Sequence, residues 1–234
     1  MANFLMIAAS SSMGMATFDI LEKNGNHVFK TARSNDKIQP DMLLDAADFD
    51  AVDEAFEKAI ERFGTIDGVV CFAGSLLLKP AHLTTNQNYQ DVIQSSLTTA
   101  FATTRSAGKY MKGGSVVLVS SAVHAIGLAN HEAIAAAKAG VVGLAKAAAA
   151  TYAPSSLRFN VVSPGLTDTP LTERITSNPG SLKYSLSMHP LGRVGVAQDI
   201  ARAVVFLLDP KNSWITGQVL NVDGGLSSLK TQAL

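Results

Sequence analysis

Short apolar runs alternate with longer helical patterns along this chain, and that alternation limits the fold more than any other feature. The runs Phe4–Ala8, His27–Thr31, Met42–Asp45, Gly68–Phe72, Ser115–Ser120, Arg158–Val162 and Gln218–Val222 read as strands. Helical patterns fill the gaps, among them Ala51–Phe63, Tyr89–Met111, Ala133–Tyr152 and Ala197–Leu208. Several strands are apolar at every position, as in Val116-Val117-Leu118-Val119, so both of their faces must be covered. Strand and helix in alternation, joined by right-handed crossovers, predict a doubly wound α/β fold of the Rossmann type. A parallel seven-stranded sheet then lies between two helix layers. The 234 residues suit one such domain over residues 1–234, without repeat or linker. Residues 169–195 hold Pro170, Pro179, Gly180, Pro190 and Gly192 and form the one long irregular stretch, expected to be a lid-like segment over a site or a loop.

Composition narrows the partners. Hydrophobic residues make up 47% and charged residues 16%, enough for a large core under a weakly charged surface. Net charge is zero and no basic patch stands out, so a nucleic acid partner is not expected. No run of eighteen apolar residues is present, so no membrane span is expected, and the start lacks the charged region of a signal peptide. The single cysteine, Cys71, excludes an internal disulfide, fits a cytoplasmic protein and reads as a buried structural thiol. No metal site is expected.

The first strand runs into Ala8-Ala9-Ser10-Ser11-Ser12-Met13-Gly14-Met15-Ala16, and a helix follows to Lys23 with Gly25 as its stop. A strand, a turn of small residues and a helix N-terminus together make an anion site, where free N–H groups and the helix dipole face a phosphate. Read alone, the turn is equally an ordinary serine-rich loop, because Gly14 is its one glycine.

Later landmarks sharpen this. Ala73-Gly74, Asp45 after the third strand, Ser163-Pro164-Gly165 followed by Thr169, Pro190-Leu191-Gly192-Arg193 and Ile215-Thr216-Gly217-Gln218-Val219-Leu220-Asn221-Val222-Asp223-Gly224-Gly225 all resemble motifs of the short-chain dehydrogenase/reductase family. The resemblance covers essentially the whole chain, and its C-terminal motif is the most specific part. The opening turn departs from it: aligned on Gly14, the family's first two glycines fall on Ala8 and Ser12 and its threonine on Ile7. Cys71 and Phe72 replace the family's two asparagines. The resemblance implies a dinucleotide held by Ala8, Ser10, Ser11, Ser12, Met13, Gly14, Asp45, Ala46, Ala73, Gly74, Lys138, Pro164, Gly165, Thr167 and Thr169. It also implies a homo-oligomer, a dimer or tetramer, for which the Ala-rich helix Ala133–Ala150 offers a flat face.

The dinucleotide is expected to be NADP(H) rather than NAD(H). At the end of the second strand Ala32 stands where an NAD-binding member carries aspartate. Arg33 follows with planar donors suited to a 2′-phosphate, and Ser34 adds another.

The family's reaction centre is a tyrosine four residues before a lysine, a serine thirteen before the tyrosine, and an asparagine on the preceding long helix. Aligned on that pattern, Ser121 takes the serine place and Lys138 the lysine place. Ile134 stands where the tyrosine would be, and Ser96 takes the place of the asparagine. Isoleucine neither gives nor takes a proton. His131, three residues before Ile134, His124, three after Ser121, and Tyr184 in the lid stretch are candidate donors, as are Lys138 itself and a water between Ser121 and Lys138. On local pattern alone Ile134 reads as a core residue, Lys138 as a solvated helix lysine and the histidines as rim residues.

Two readings follow. One is an atypical NADP(H)-dependent oxidoreductase with a displaced proton donor, acting on a small carbonyl, enone or imine substrate. The other is a redox-silent cofactor-binding protein, or a non-redox catalyst of cyclisation or isomerisation using an apolar cleft around Phe72, Ile134 and Met188. The lid stretch Thr172–His189 gives no charge signature for an acidic or phosphorylated substrate.

Overall fold

The computed structural model describes residues 1–230. Seven strands pair in the order β3-β2-β1-β4-β5-β6-β7, every pair parallel. They are β1 (Asn3–Ile7), β2 (His27–Ala32), β3 (Met42–Leu43), β4 (Gly68–Cys71), β5 (Gly114–Val119), β6 (Leu157–Pro164) and β7 (Val219–Val222). The longer helices are α1 (Ser12–Lys23), α2 (Phe49–Phe63), α3 (Asn86–Ile93), α4 (Thr99–Tyr110) and α5 (Glu132–Tyr152), with α6 (Glu173–Thr176), α7 (Pro179–Met188) and α8 (Ala197–Leu208) after β6.

The apolar runs divide by parity. Leu5, Ile7, Val69, Cys71, Val116, Leu118, Phe159 and Val161 face one core, closed by Val52 and Phe56 of α2, Ala102 of α4 and Val141 and Ala145 of α5. Their neighbours Phe4, Met6, Val70, Val117 and Val162 face the other, closed by Leu21 of α1 and Ile200, Val204, Leu207 and Leu208 of α8. A strand that fills two cores has no polar face to spare, which explains the uninterrupted runs. Helix α5 and its extension, Glu132–Ser155, reach a mean hydropathy of 1.5 and are long enough to cross a membrane by composition. In this fold that apolarity is used against β6 and the first core.

The C-terminal signature ties the sheet edge together. Asn160 on β6 donates from its amide to the Ile215 carbonyl (2.9 Å) and accepts the Gln218 N–H (3.0 Å). Arg158 donates to Ile215 and Leu207 carbonyls, linking β6 to the end of α8. Asp223 accepts the N–H groups of Gly225 and Ser227 and folds its loop against Gly165.

Three predicted elements differ. Only Met42 and Leu43 join β3, because the Asp45 carboxylate turns back to accept the Ala47 N–H (3.0 Å) and ends the strand. The single helix predicted over Tyr89–Met111 is interrupted by a π-helical turn at Gln94–Thr98. Hydroxyls compete for its carbonyls there: Thr99 Oγ1 donates to Ser95 O (3.1 Å) and lies 3.3 Å from Ser96 O. The stretch 169–195 is not wholly irregular. Asn178 caps α7 by accepting the Ser181 N–H (2.9 Å), and Pro179 sits at its first turn, a start signal the sequence reading passed over.

Ala8 leaves β1 with a φ of 59°, in the left-handed region, at the place of the family's first glycine. Gly14 needs its missing side chain for another reason: a Cβ would lie 2.5 Å from the Ala9 carbonyl oxygen. The left-handed penalty of roughly 1–2 kcal/mol exceeds glycine's extra chain entropy of roughly 0.5–1 kcal/mol. Ala8→Gly should therefore raise unfolding free energy by about 0.5–1 kcal/mol in urea, whereas Gly14→Ala should lower it; a destabilising Ala8→Gly would contradict this backbone geometry.

Candidate active site

A cavity of about 590 Å³ lies across the C-terminal ends of the strands. The chain reverses its direction of winding between β1 and β4, and crossovers that diverge there leave a crevice beyond the strand ends. Ala8, Ser10, Ser11, Ser12 and Met13 line it from the first turn. Ser11 caps α1 by accepting the Gly14 N–H (3.0 Å), which aims the first free amides of the helix at the cavity. Gly14 itself is not in the lining; its part is the close packing on Ala9.

At the β2 end the lining holds Arg33, Asp45 and Ala46, as the sequence reading expected, and also Lys37, which it missed. The signal was a second cation four residues after Arg33. Ser34 is not in the lining: its hydroxyl donates to the Asp36 carboxylate (2.8 Å). Past β4 come Ala73 and Gly74, and beyond β6 come Pro164, Gly165, Thr167 and Thr169. Thr172 Oγ1 lies 2.5 Å from Thr167 O and 3.1 Å from Thr169 N, closing that loop into a turn. Gly165 must be glycine because a Cβ would sit 2.8 Å from the Asp223 backbone.

Ser121, Ile134 and Lys138 meet in this cavity. Two bonds hook α5 to the end of β5. Ser120 Oγ donates to the Lys138 carbonyl (2.8 Å), and Lys138 Nζ donates to the Val119 carbonyl (2.9 Å). Ser120 is a second residue the sequence reading missed. Its neighbour Ser121 drew attention, but only the buried member of the pair reaches the helix. Lys138 is 6% exposed, and a Cβ on Gly74 would lie 3.1 Å from its Nζ. Burial lowers its pKa to about 8, with neighbouring Cys71 the smaller, opposing influence. Cys71 is a free, buried cysteine. Burial raises its pKa, while the Thr103 hydroxyl, the Ala73 backbone, Lys138 and Thr99 pull it down.

Ile134 is 2% exposed and packs with Val92, Ala133 and Ala137, one helical turn before Lys138. Ser96 is buried and accepts the Ser75 N–H (3.4 Å) without reaching the cavity lining. Gln94, Ser95 and Ser75 form the polar wall on that side, with Ser95 and Ser75 hydroxyls 2.7 Å apart.

The expected alternative donors are not brought in. His131 precedes α5 with Nδ1 2.7 Å from the Ala129 carbonyl, outside the lining. His124 turns Nδ1 to the Ser121 carbonyl (2.8 Å) and Ser163 hydroxyl (3.1 Å), also outside it. Tyr184 points to solvent from α7, 67% exposed. Met188 does not join the apolar wall; Leu76 and Leu171 stand there with Phe72. Among the described residues the ionisable side chains lining the cavity are Arg33, Lys37, Asp45 and Lys138. The first three belong to the β2–β3 end, three strand spacings or roughly 14 Å from β5. Among the described residues no group of three or more His, Cys, Asp or Glu side chains is placed to hold a metal ion.

Known proteins resemble the chain over nearly its whole length. Residues 7–227 match the family described as Enoyl-(Acyl carrier protein) reductase. The 3-oxoacyl-[acyl-carrier-protein] reductase FabG of Thermotoga maritima is 33% identical over 95% of this chain and 96% of its own length. The peroxisomal 2,4-dienoyl-CoA reductase of Saccharomyces cerevisiae is also 33% identical, over 90% of this chain and 73% of its own. Among solved structures, ElxO with NADP bound superposes with a TM-score of 0.90 at 28% identity, covering 97% of this chain and 99% of that one.

The buried ammonium carries a stability signature. A fall from 10.5 to about 8 corresponds to about 3 kcal/mol of desolvation borne by the folded state at neutral pH. The folded pKa is the lower one, so wild-type stability rises with pH between about 8 and 10.5 and the penalty is full below 8. Lys138→Met removes the charge and leaves the Val119 carbonyl unpaired, which returns about 1 kcal/mol. The variant should be about 1–2 kcal/mol more stable than wild type at pH 7 by urea unfolding, with the gain shrinking toward pH 10. A less stable or pH-indifferent variant would contradict the burial of a charged amine.

Proposed function

The chain belongs to the short-chain dehydrogenase/reductase family, and we propose that it is an NADP(H)-dependent oxidoreductase acting on a small carbonyl, enone or imine substrate. The observation that carries this reading is the joining, in one crevice, of a phosphate-sized turn, a cationic end and a buried lysine. The residues present fit the cofactor. The Ser10–Met13 turn and the free amides of α1 would take the pyrophosphate. Arg33 and Lys37 would flank a 2′-phosphate, with Ala32 offering no carboxylate to repel it. Asp45 and Ala46 would border the base, and Lys138 with the Pro164–Thr169 loop the nicotinamide riboside. When bound, the reduced nicotinamide supplies hydride to an electrophilic carbon.

The chain's own residues would do the rest. Ser121 orients the acceptor oxygen by donating its hydroxyl. Phe72, Leu76, Ile134 and Leu171 shape an apolar wall that excludes water and disfavours charged substrates. Without a phenol at 134, an ordinary ketone would lose general acid help of roughly 10²–10⁴-fold, which favours an activated acceptor. The isoleucine also supports a second reading, a redox-silent NADP(H)-binding protein. For assembly we infer a homo-oligomer, formed through the small outward face of α5 at Ala136, Ala139, Gly143 and Ala147. Light scattering should report a dimer or tetramer; a monomer at micromolar concentration would refute it.

The function is tested by following NADPH fluorescence during titration and then its consumption with a panel of aldehydes, ketones, enones and imines. NADPH should bind at least tenfold more tightly than NADH. The double variant Arg33→Ala, Lys37→Ala should weaken NADPH by about 10- to 100-fold, on the order of 1–3 kcal/mol, and leave NADH little changed. Binding without consumption would select the redox-silent reading, and no binding would overturn the cofactor assignment.

A further inference from the structure

Resting on the oxidoreductase reading, we propose that the ammonium of Lys138 is itself the acid that protonates the substrate oxygen. At the β5–α5 end of the cavity, Lys138 is the one ionisable side chain in the lining among the described residues. His124 and His131 each turn Nδ1 to a backbone carbonyl and lie outside the lining, and Tyr184 faces solvent. Ile134 lines the cavity one helical turn before the lysine and offers it only hydrocarbon. Only one contact is fixed at Nζ, the bond to Val119 O. An ammonium has three N–H groups, so two remain for ligands in the cavity. Gly74 keeps the path to Nζ open, since any larger residue would crowd it.

The step balances with the reductant already named. As the acceptor carbon takes hydride from NADPH, the C=O π pair moves onto oxygen. The Lys138 N–H bond breaks, and its proton forms the O–H bond of the product alcohol. The amine left behind is re-protonated by water, and the nicotinamide ends oxidised. Burial suits the lysine to this: at about 8 its pKa is near working pH, where a general acid is most effective. The groups packed round it are Cys71 of β4, the Val119 carbonyl of β5 and Gly74. Cys71 is the titratable one among them and, being buried, stays a thiol.

The test uses the intact protein in two arms. In the first, the cofactor-free protein is labelled with trace acetic anhydride across pH 6–11, and acetylation of Lys138 is read by mass spectrometry against the exposed Lys211. The expected inflection lies near pH 8. An inflection above 10, or no labelling, would overturn the proposal, because a donor closed to a small electrophile is closed to substrate. In the second, the pH profile of kcat for NADPH-dependent reduction is compared between wild type and Lys138→Arg, with NADPH affinity measured in parallel. Wild type should hold its rate below about pH 8 and fall tenfold per pH unit above it. At saturating NADPH, Lys138→Arg should lose at least 100-fold in kcat and show no fall up to pH 10. Turnover without that limb in wild type, or the same limb in Lys138→Arg, would overturn Lys138 as the acid while leaving the oxidoreductase reading intact. NADPH that binds but is never consumed would fail the oxidoreductase reading instead.

Discussion

A lysine ammonium resists leaving water, yet this fold draws one beneath the ends of β4 and β5 and holds it there by a single carbonyl. The rest of the site is arranged around that group. The Ser120 hydroxyl grips the backbone of Lys138, so the helix that carries the charge cannot drift from the strand that receives it. Cys71 supplies a polarisable but neutral floor, and Gly74 leaves the opening toward the cavity. Such a group costs the folded protein stability at neutral pH.

The sheet makes this possible. Parallel strands covered on both faces end together along one edge, and the reversal between β1 and β4 opens a crevice where several strand ends can each contribute a residue. The first turn, the cations beyond β2, the lysine opposite β5 and the loop after β6 thus face one space although they are far apart in sequence. The C-terminal segment reaches that space only indirectly. Asp223 braces Gly165, and His189 accepts the Leu166 N–H from behind (3.2 Å), so the loop after β6 is held from its outer side.

Much of this is legible in the amino-acid sequence. The apolar runs located all seven strands to within a few residues, because strands buried on two faces leave short runs that alternate with longer helical patterns. Helix α8 was read to its ends. Ser121, Ile134 and Lys138 do share one cavity. What the sequence concealed depends on contacts between distant segments. The π turn at Gln94–Thr98 arises from hydroxyls competing for helix carbonyls, which composition hints at but does not fix. Helical spacing placed His131 on the face of Ile134, yet it sits just before the helix begins and bonds Ala129 instead. Ser34 was a plausible donor until Asp36 took its hydroxyl. Lys37 and Ser120 were overlooked because their roles depend on where a loop folds and which of two adjacent serines turns inward.

The most direct measurement is a crystal structure of the protein with NADPH and an unreactive carbonyl analogue. The account predicts the pyrophosphate over the Ser10–Met13 turn, the nicotinamide beside Ile134, and Lys138 Nζ within hydrogen-bond reach of the analogue's oxygen. A nucleotide bound elsewhere, or another ionisable side chain occupying the place beside that oxygen, would contradict it.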